Sequence, residues 1–296
     1  MQTPASNESE VHIRMSDGFN LFCRNWSTFG SVERAVVFLH GIEVHSGSFG
    51  FIGPELANMG SEVYGFDRRG MGNSKETDLP RGDTKSFQLH LDNVEEAVEF
   101  VRKKHSGKKL YLFGHSIGCA YALWYAARNP EIIDGLILAA PPLKTGFKLP
   151  FGDTLKLILF PAFSPHTMYN LVDKWPQTFK ESEEYKLITG DELSTKEFGL
   201  GFLLDVQTKL ANNMAKNAAK IKKPVFIIHG EQDVIALPES SKLIIDKLGS
   251  EDKVLQTFQN ADHWFYQSII PKIGSKYDLE KKKTVSNSVN DWLNKH

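Results

Sequence analysis

At 296 residues, 41% of them hydrophobic and 24% charged, the chain can bury one large core or two smaller ones and has the make-up of an ordinary globular protein. A net charge of −1 supplies no basic surplus for gripping phosphates and argues against a nucleic-acid binder. The two cysteines, Cys23 and Cys119, give neither a disulfide framework nor a metal-binding Cys-x-x-Cys spacing.

Residues 11–15 and 20–26 flank Ser16-Asp17-Gly18 and read as a hairpin at a sheet edge. Residues 35–39 form a continuous apolar run, the pattern of a strand buried on both faces. Residues 48–59 carry a helical period and residues 62–66 the next strand. Residues 87–104 then place Leu91, Val94, Val98 and Val101 on one helix face. Strands at 110–113 and 135–139 enclose a helix at 119–128, so the first half predicts an α/β fold with a mainly parallel sheet flanked by helices. The rhythm breaks over residues 143–220, which look helical and are punctuated by Pro150, Pro161, Pro165 and Pro176. It resumes with strands at 224–228 and 253–258 and helices at 238–248 and 281–295. The expected organisation is a core of residues 1–142 and 221–296 with a helical insertion at 143–220 between sheet strands. Residues 1–10 are polar and acidic without a signal-like pattern, and no run of about 18 apolar residues could span a membrane. A reduced, cytoplasmic setting is the expectation.

Gly114-His115-Ser116-Ile117-Gly118 lies between a predicted strand and a predicted helix, the context that turns a serine into a nucleophile. A serine hydroxyl needs a histidine to take its proton and a carboxylate to hold that histidine. Asp233 follows the 224–228 strand and His263 follows the 253–258 strand, in the order serine, acid, histidine. Both fall beyond a strand's carboxyl end, where α/β sheets bind ligands. Asp262 is a rival acid, though a neighbour in sequence tends to point away from the adjacent imidazole. The backbone N–H of Ile117 and that of Ile42, in the loop after residues 35–39, are the expected oxyanion donors. His40 and His45 lack a second cluster of ligands, so structural roles and no metal are expected for them.

Four segments carry a resemblance: His40-Gly41-Ile42-Glu43-Val44-His45-Ser46-Gly47, Asp67-Arg68-Arg69-Gly70-Met71-Gly72-Asn73-Ser74, the serine elbow, and Asp134-Gly135-Leu136-Ile137-Leu138-Ala139-Ala140-Pro141. The chain resembles the α/β-hydrolase superfamily, and within it the monoacylglycerol lipase and lysophospholipase branch of the serine aminopeptidase-type hydrolases. The resemblance implies Ser116, Asp233 and His263 as the catalytic triad, Ile42 and Ile117 at the oxyanion hole, and residues 143–220 as a helical cap over the site. Ile42, Glu43, Met71 and Cys119 depart from the residues usual in that branch.

The expected reaction is hydrolysis of a carboxylic ester with a medium or long acyl group, such as a monoacylglycerol or lysophospholipid, through an acyl-enzyme and without a cofactor. Leu159, Phe160 and Phe163 of the cap, and Trp264 after the histidine, are expected to contact substrate. The same apolar cap residues suggest a transient touch on a membrane surface. A small-ester esterase, an acyltransferase or a peptidase would share the elbow, and a ligand receptor could retain the fold.

Overall fold

Four runs that read as doubly buried strands form the centre of the molecule, and alternate residues of each feed two separate cores. The computed structural model describes residues 7–265 and 279–296. In chain order the elements are β1 (Asn7–Arg14), β2 (Asn20–Ser27), β3 (Arg34–Leu39), α1 (Ile52–Asn58), β4 (Ser61–Phe66), α2 (Phe87–Lys104), β5 (Lys109–His115), α3 (Ile117–Arg128) and β6 (Gly135–Ala139). The insertion holds α4 (Phe151–Leu159), β7 (Met168–Asn170), α5 (Gln177–Lys180), α6 (Glu183–Gly190), β8 (Glu197–Gly199), α7 (Leu200–Asp205) and α8 (Met214–Ala218). The chain then returns through β9 (Val225–Gly230), α9 (Glu239–Lys247), β10 (Lys253–Phe258) and α10 (Leu279–Lys295).

The main sheet has the order β1-β2-β4-β3-β5-β6-β9-β10. β1 and β2 pair antiparallel with each other and β2 antiparallel with β4, while every pairing from β4 to β10 is parallel. Parallel strands need crossovers, and α1, α2, α3 and α9 supply them on both faces. Val37, Leu112, Leu138 and Ile227 point to the face covered by α2, α3 and α8. Their neighbours Phe38, Phe113, Ile137 and Ile228 point to the face covered by α1 and α10. That alternation is why these strands carry no polar side and read as unbroken apolar runs. Ser86 caps α2 through its hydroxyl, and Arg102, Lys103 and Lys104 complement the negative end of its dipole.

The insertion leaves after β6 and rejoins before β9. It is mostly helical, as the sequence pattern predicts, but β7 and β8 pair into a small antiparallel ribbon that the pattern did not reveal. Three-residue strands are too short to leave a period in the sequence. A π-helical turn at Val206–Leu210 continues α7. The insertion is pinned to the loops at the sheet's carboxyl end at several points. His45 Nε2 lies 2.8 Å from Asp191 Oδ2, His166 Nδ1 2.7 Å from Asp83 Oδ2, and Thr195 N donates to Glu43 O at 2.7 Å.

Candidate active site

β5 runs into α3 with a single residue between them, and that residue is Ser116. Its φ of 53° and ψ of −126° lie in a region that residues with a Cβ seldom adopt. Flanking glycines make the turn sterically feasible. A Cβ on Gly114 would sit 2.6 Å from Cys119 N, and one on Gly118 only 1.9 Å from the carbonyl oxygen of Leu39 on β3. Cys119 packs beneath the elbow, its thiol donating to the carbonyls of Gly114 at 3.2 Å and Ala139 at 3.3 Å, and burial pushes that thiol well above its ordinary pKa. Gly118→Ala is expected to cost about 3 kcal/mol or more, because backbone rather than a flexible side chain blocks the new methyl. Thermal unfolding of the purified variant, or its failure to accumulate in soluble form, measures this.

β9 ends at Gly230, and the following turn carries Asp233, whose side chain is almost fully buried. Asp233 Oδ1 accepts the backbone N–H groups of Ile235 and Ala236, each at 2.9 Å. Oδ2 is shared by two histidines, His263 Nδ1 at 2.6 Å and His229 Nε2 at 3.1 Å. His229 Nε2 also lies 2.9 Å from Ala236 O, and its Nδ1 is 2.6 Å from the Ser241 hydroxyl. With two acceptor oxygens on the Nε2 side, His229 donates from Nε2, and the Ser241 hydroxyl holds the other side of the ring. Burial raises the Asp233 carboxyl, but His263 and His229 outweigh it and hold the group well below the usual carboxylate range.

His263 follows β10, in a loop that turns at Asn260, where φ is 54°. Gly230 lets this loop close on β9, since a Cβ there would meet the carbonyls of Ala261 and Asp262 at 2.4 Å. The ring is buried, its Nδ1 is held by Asp233, and its Nε2 has no hydrogen-bond partner among the described residues. His115, the residue before Ser116, donates from Nε2 to His263 O at 3.0 Å, with ring centroids 4.8 Å apart. The elbow and the histidine loop are thereby joined directly. Burial alone would pull the His263 pKa down, but Asp233, with help from Glu43 and Asp262, raises it above its ordinary value. Asp262 itself turns away and accepts the backbone N–H of Trp264 at 2.9 Å.

Ser116, Ile42 and Ile117 share the wall of a cavity of about 250 Å³ with Leu157, Leu203 and Ile235. The loop carrying Ile42 is fixed from behind by the buried Arg68, whose guanidinium donates to the carbonyls of His40 and Gly41. His40 donates from Nδ1 to Gly41 O at 2.8 Å and accepts Arg68 N–H at Nε2, so both ring nitrogens are engaged structurally. Among the described residues no group of three or more histidine, cysteine or acidic side chains could hold a metal.

The Hydrolase_4 family, serine aminopeptidase S33, matches residues 30–267. The chain belongs to this family. Human monoglyceride lipase is 25% identical over 289 residues, covering 95% of this chain and 89% of that protein. The monoacylglycerol lipase of Mycolicibacterium smegmatis is 21% identical over 99% of each chain. Among solved structures, the Paleococcus ferrophilus monoacylglycerol lipase superposes with a TM-score of 0.75 at 25% identity, covering 92% of this chain and 98% of that one. A soluble variant of the Saccharomyces cerevisiae monoglyceride lipase, in complex with a substrate analog, superposes with a TM-score of 0.79 at 22% identity, covering 100% and 98%. Within the α/β-hydrolases this S33-family chain stands on the monoglyceride lipase branch and is an ester hydrolase of the lipase and esterase kind.

The cavity lining of this hydrolase corrects part of the sequence reading. Leu159, Phe160 and Phe163 are not among the lining residues; they are 51%, 50% and 89% exposed. α4 is apolar on more than one side, and the side chain it gives to the cavity is Leu157. Trp264 is absent from the lining as well. It is buried behind the cavity wall, stacked on Phe179 with centroids 4.5 Å apart, and its indole donates to Glu43 Oε1 at 3.0 Å. Tyr266, the last residue of the aromatic run after His263, lies outside the described residues. Sequence reasoning missed His229 and His115; the only sequence signals were a histidine four residues before Asp233 and another directly before the serine.

Proposed function

We propose that Ser116 is the nucleophile of a carboxylic ester hydrolase, with His263 as its general base and Asp233 as the acid that orients the imidazole. Ser116 Oγ attacks the ester carbonyl while His263 Nε2 takes its proton, and the N–H groups of Ile42 and Ile117 receive the oxyanion. The alcohol leaves with the proton from His263, forming an acyl-enzyme. Water, activated by the same nitrogen, then releases the acid and frees the serine. The observation that carries this reading is the Asp233–His263 contact of 2.6 Å on a ring whose other nitrogen has no partner among the described residues, bonded through its backbone to the residue beside a strained serine.

The substrate proposed is an ester of a medium or long acyl chain, of the monoacylglycerol or lysophospholipid type. The lining supports it, since Leu149, Leu157, Leu171, Leu203, Val206 and Ile235 offer the acyl chain an apolar channel. We assign residues 143–220 the role of a cap that carries much of this lining. The outward side chains Phe151, Ile158, Phe160 and Phe163 form an apolar surface suited to transient contact with a membrane that presents such lipids. No helix among the described residues is long and apolar enough to cross a membrane. The buried, free thiols Cys23 and Cys119 are compatible with a cytoplasmic setting.

Nitrophenyl esters graded from acetyl to palmitoyl test the substrate class. The expected result is a kcat/KM that climbs from acetyl to octanoyl or longer by about tenfold or more, since each buried methylene contributes about 0.8 kcal/mol. A profile that peaks at acetyl and falls with every added carbon would leave an esterase for small substrates and remove the lipid reading.

A further inference from the structure

Glu43 is a carboxylate in a place where the proposed mechanism needs none. It is 1% exposed, yet it lines the same cavity as Ser116 and Ile42. Its Oε1 accepts the Trp264 indole N–H at 3.0 Å, and its main-chain oxygen accepts Thr195 N–H at 2.7 Å. The side chain is therefore anchored by the histidine loop and the backbone by the insertion. A carboxylate buried in an apolar wall is unfavourable unless partners compensate it, and a leucine or methionine would fill such a wall without that penalty. Burial raises the Glu43 carboxyl above the ordinary carboxylate value, against the smaller downward pull of the His263 imidazole, the Trp264 indole and the Arg68 guanidinium. Asp233 already occupies the Nδ1 side of His263, so Glu43 is not the triad acid.

The rest of the lining divides the labour. Its leucine, valine and isoleucine side chains suit an acyl chain, which can form no hydrogen bond with a carboxylate. The alcohol half of a glycerol ester carries free hydroxyls that lose their water on entering the cavity and need an acceptor there. We propose that Glu43 is a specificity-determining residue: its carboxylate accepts a hydroxyl of the substrate's alcohol half and turns away alcohol halves that carry a phosphate. The rejection is electrostatic, because a phosphate would face a like charge in a site with little water to screen it. This inference rests on the hydrolase reading above and narrows it to uncharged polyol esters.

The test compares monolauroylglycerol, lauroyl lysophosphatidic acid and nitrophenyl laurate, which share one acyl chain, on wild type, Glu43→Gln and Glu43→Leu. Wild type is expected to favour the glycerol ester over the phosphate ester by about tenfold or more in kcat/KM. Glu43→Gln retains an oxygen for the Trp264 N–H, and the ratio is expected to fall by about tenfold, with KM for the glycerol ester rising. Equal wild-type rates on the two lipids, or an unchanged ratio in both variants, would overturn the proposal, as would a loss that is equal on all three esters. A second measurement needs no variant. A non-hydrolysable dodecylglycerol ether is expected to compete with nitrophenyl laurate on wild type at least about tenfold more tightly than its phosphate ester, and equal inhibition constants would overturn the assignment. Failure of the underlying hydrolase reading is distinguishable, because wild type would then be inert on nitrophenyl laurate as well.

Discussion

Replacing Ser116 by alanine is expected to lower kcat on nitrophenyl esters by roughly 10⁵- to 10⁶-fold, to the limit of detection, with KM little changed. The reason is covalent: in the proposed mechanism the serine oxygen forms the acyl bond, and no neighbour among the described residues is equipped to replace it. Cys119 is buried beneath the elbow with its thiol pushed far from ionisation, and the Thr145 hydroxyl is committed to Phe147 O at 2.9 Å. The fold should tolerate the change, since the Ser116 side chain caps no helix and alanine preserves the Cβ that the turn already accommodates. Thermal unfolding measured beside the rates separates lost chemistry from lost structure. Activity retained in a folded Ser116→Ala protein would remove the nucleophile assignment outright.

Asp233→Asn is expected to reduce kcat by on the order of 10⁴-fold through a change of tautomer. The N–H groups of Ile235 and Ala236 both point at Oδ1, so the asparagine oxygen must stay on that side. Its amide nitrogen then faces His263 Nδ1 and donates where the carboxylate accepted. A ring that accepts at Nδ1 carries its proton on Nε2 and cannot take one from serine. The pH profile reports the same contact. His263, as the proposed base, works only when neutral, so activity is expected to be lost as pH falls through its pKa. Burial lowers that pKa, but Asp233, Glu43 and Asp262 overcome burial, so the acid limb in wild type should lie above the ordinary value of 6.5. In Asp233→Asn the residual activity should have its acid limb displaced to lower pH. An unmoved limb would mean that a group other than His263 controls the rate.

The central strands were legible in the sequence for a physical reason. Both faces of β3, β5, β6 and β9 are covered, so their composition has no polar half to blur the signal. The elbow was legible because glycines stand where backbone contacts of 1.9 Å and 2.6 Å would exclude any Cβ. The lining of the cavity was not. Apolar residues around most of α4 and the turn after it give no indication of which side faces inward, and only the packing selects Leu157 over Leu159, Phe160 and Phe163. Trp264 was an aromatic beside a candidate base, and its partner Glu43 lies 221 positions away. No local pattern encodes such a pair. Glu43 stood out in the sequence only as a departure from the residues usual in the family, and the cavity gives that departure a chemical meaning.

If the triad is as proposed, the order of strands in the sheet also sets when the protein becomes reactive. Ser116 follows β5, whereas Asp233 and His263 follow β9 and β10, which come later in the chain than any other described strand. During synthesis the elbow leaves the ribosome on the order of ten seconds before the histidine loop. Throughout that interval its hydroxyl is an ordinary alcohol with no base to take its proton. Under the proposed triad a nascent chain is expected to be mute toward esters and toward reagents that trap activated serines until the far edge of the sheet has docked. A serine-directed probe applied to stalled chains of increasing length would time that docking directly.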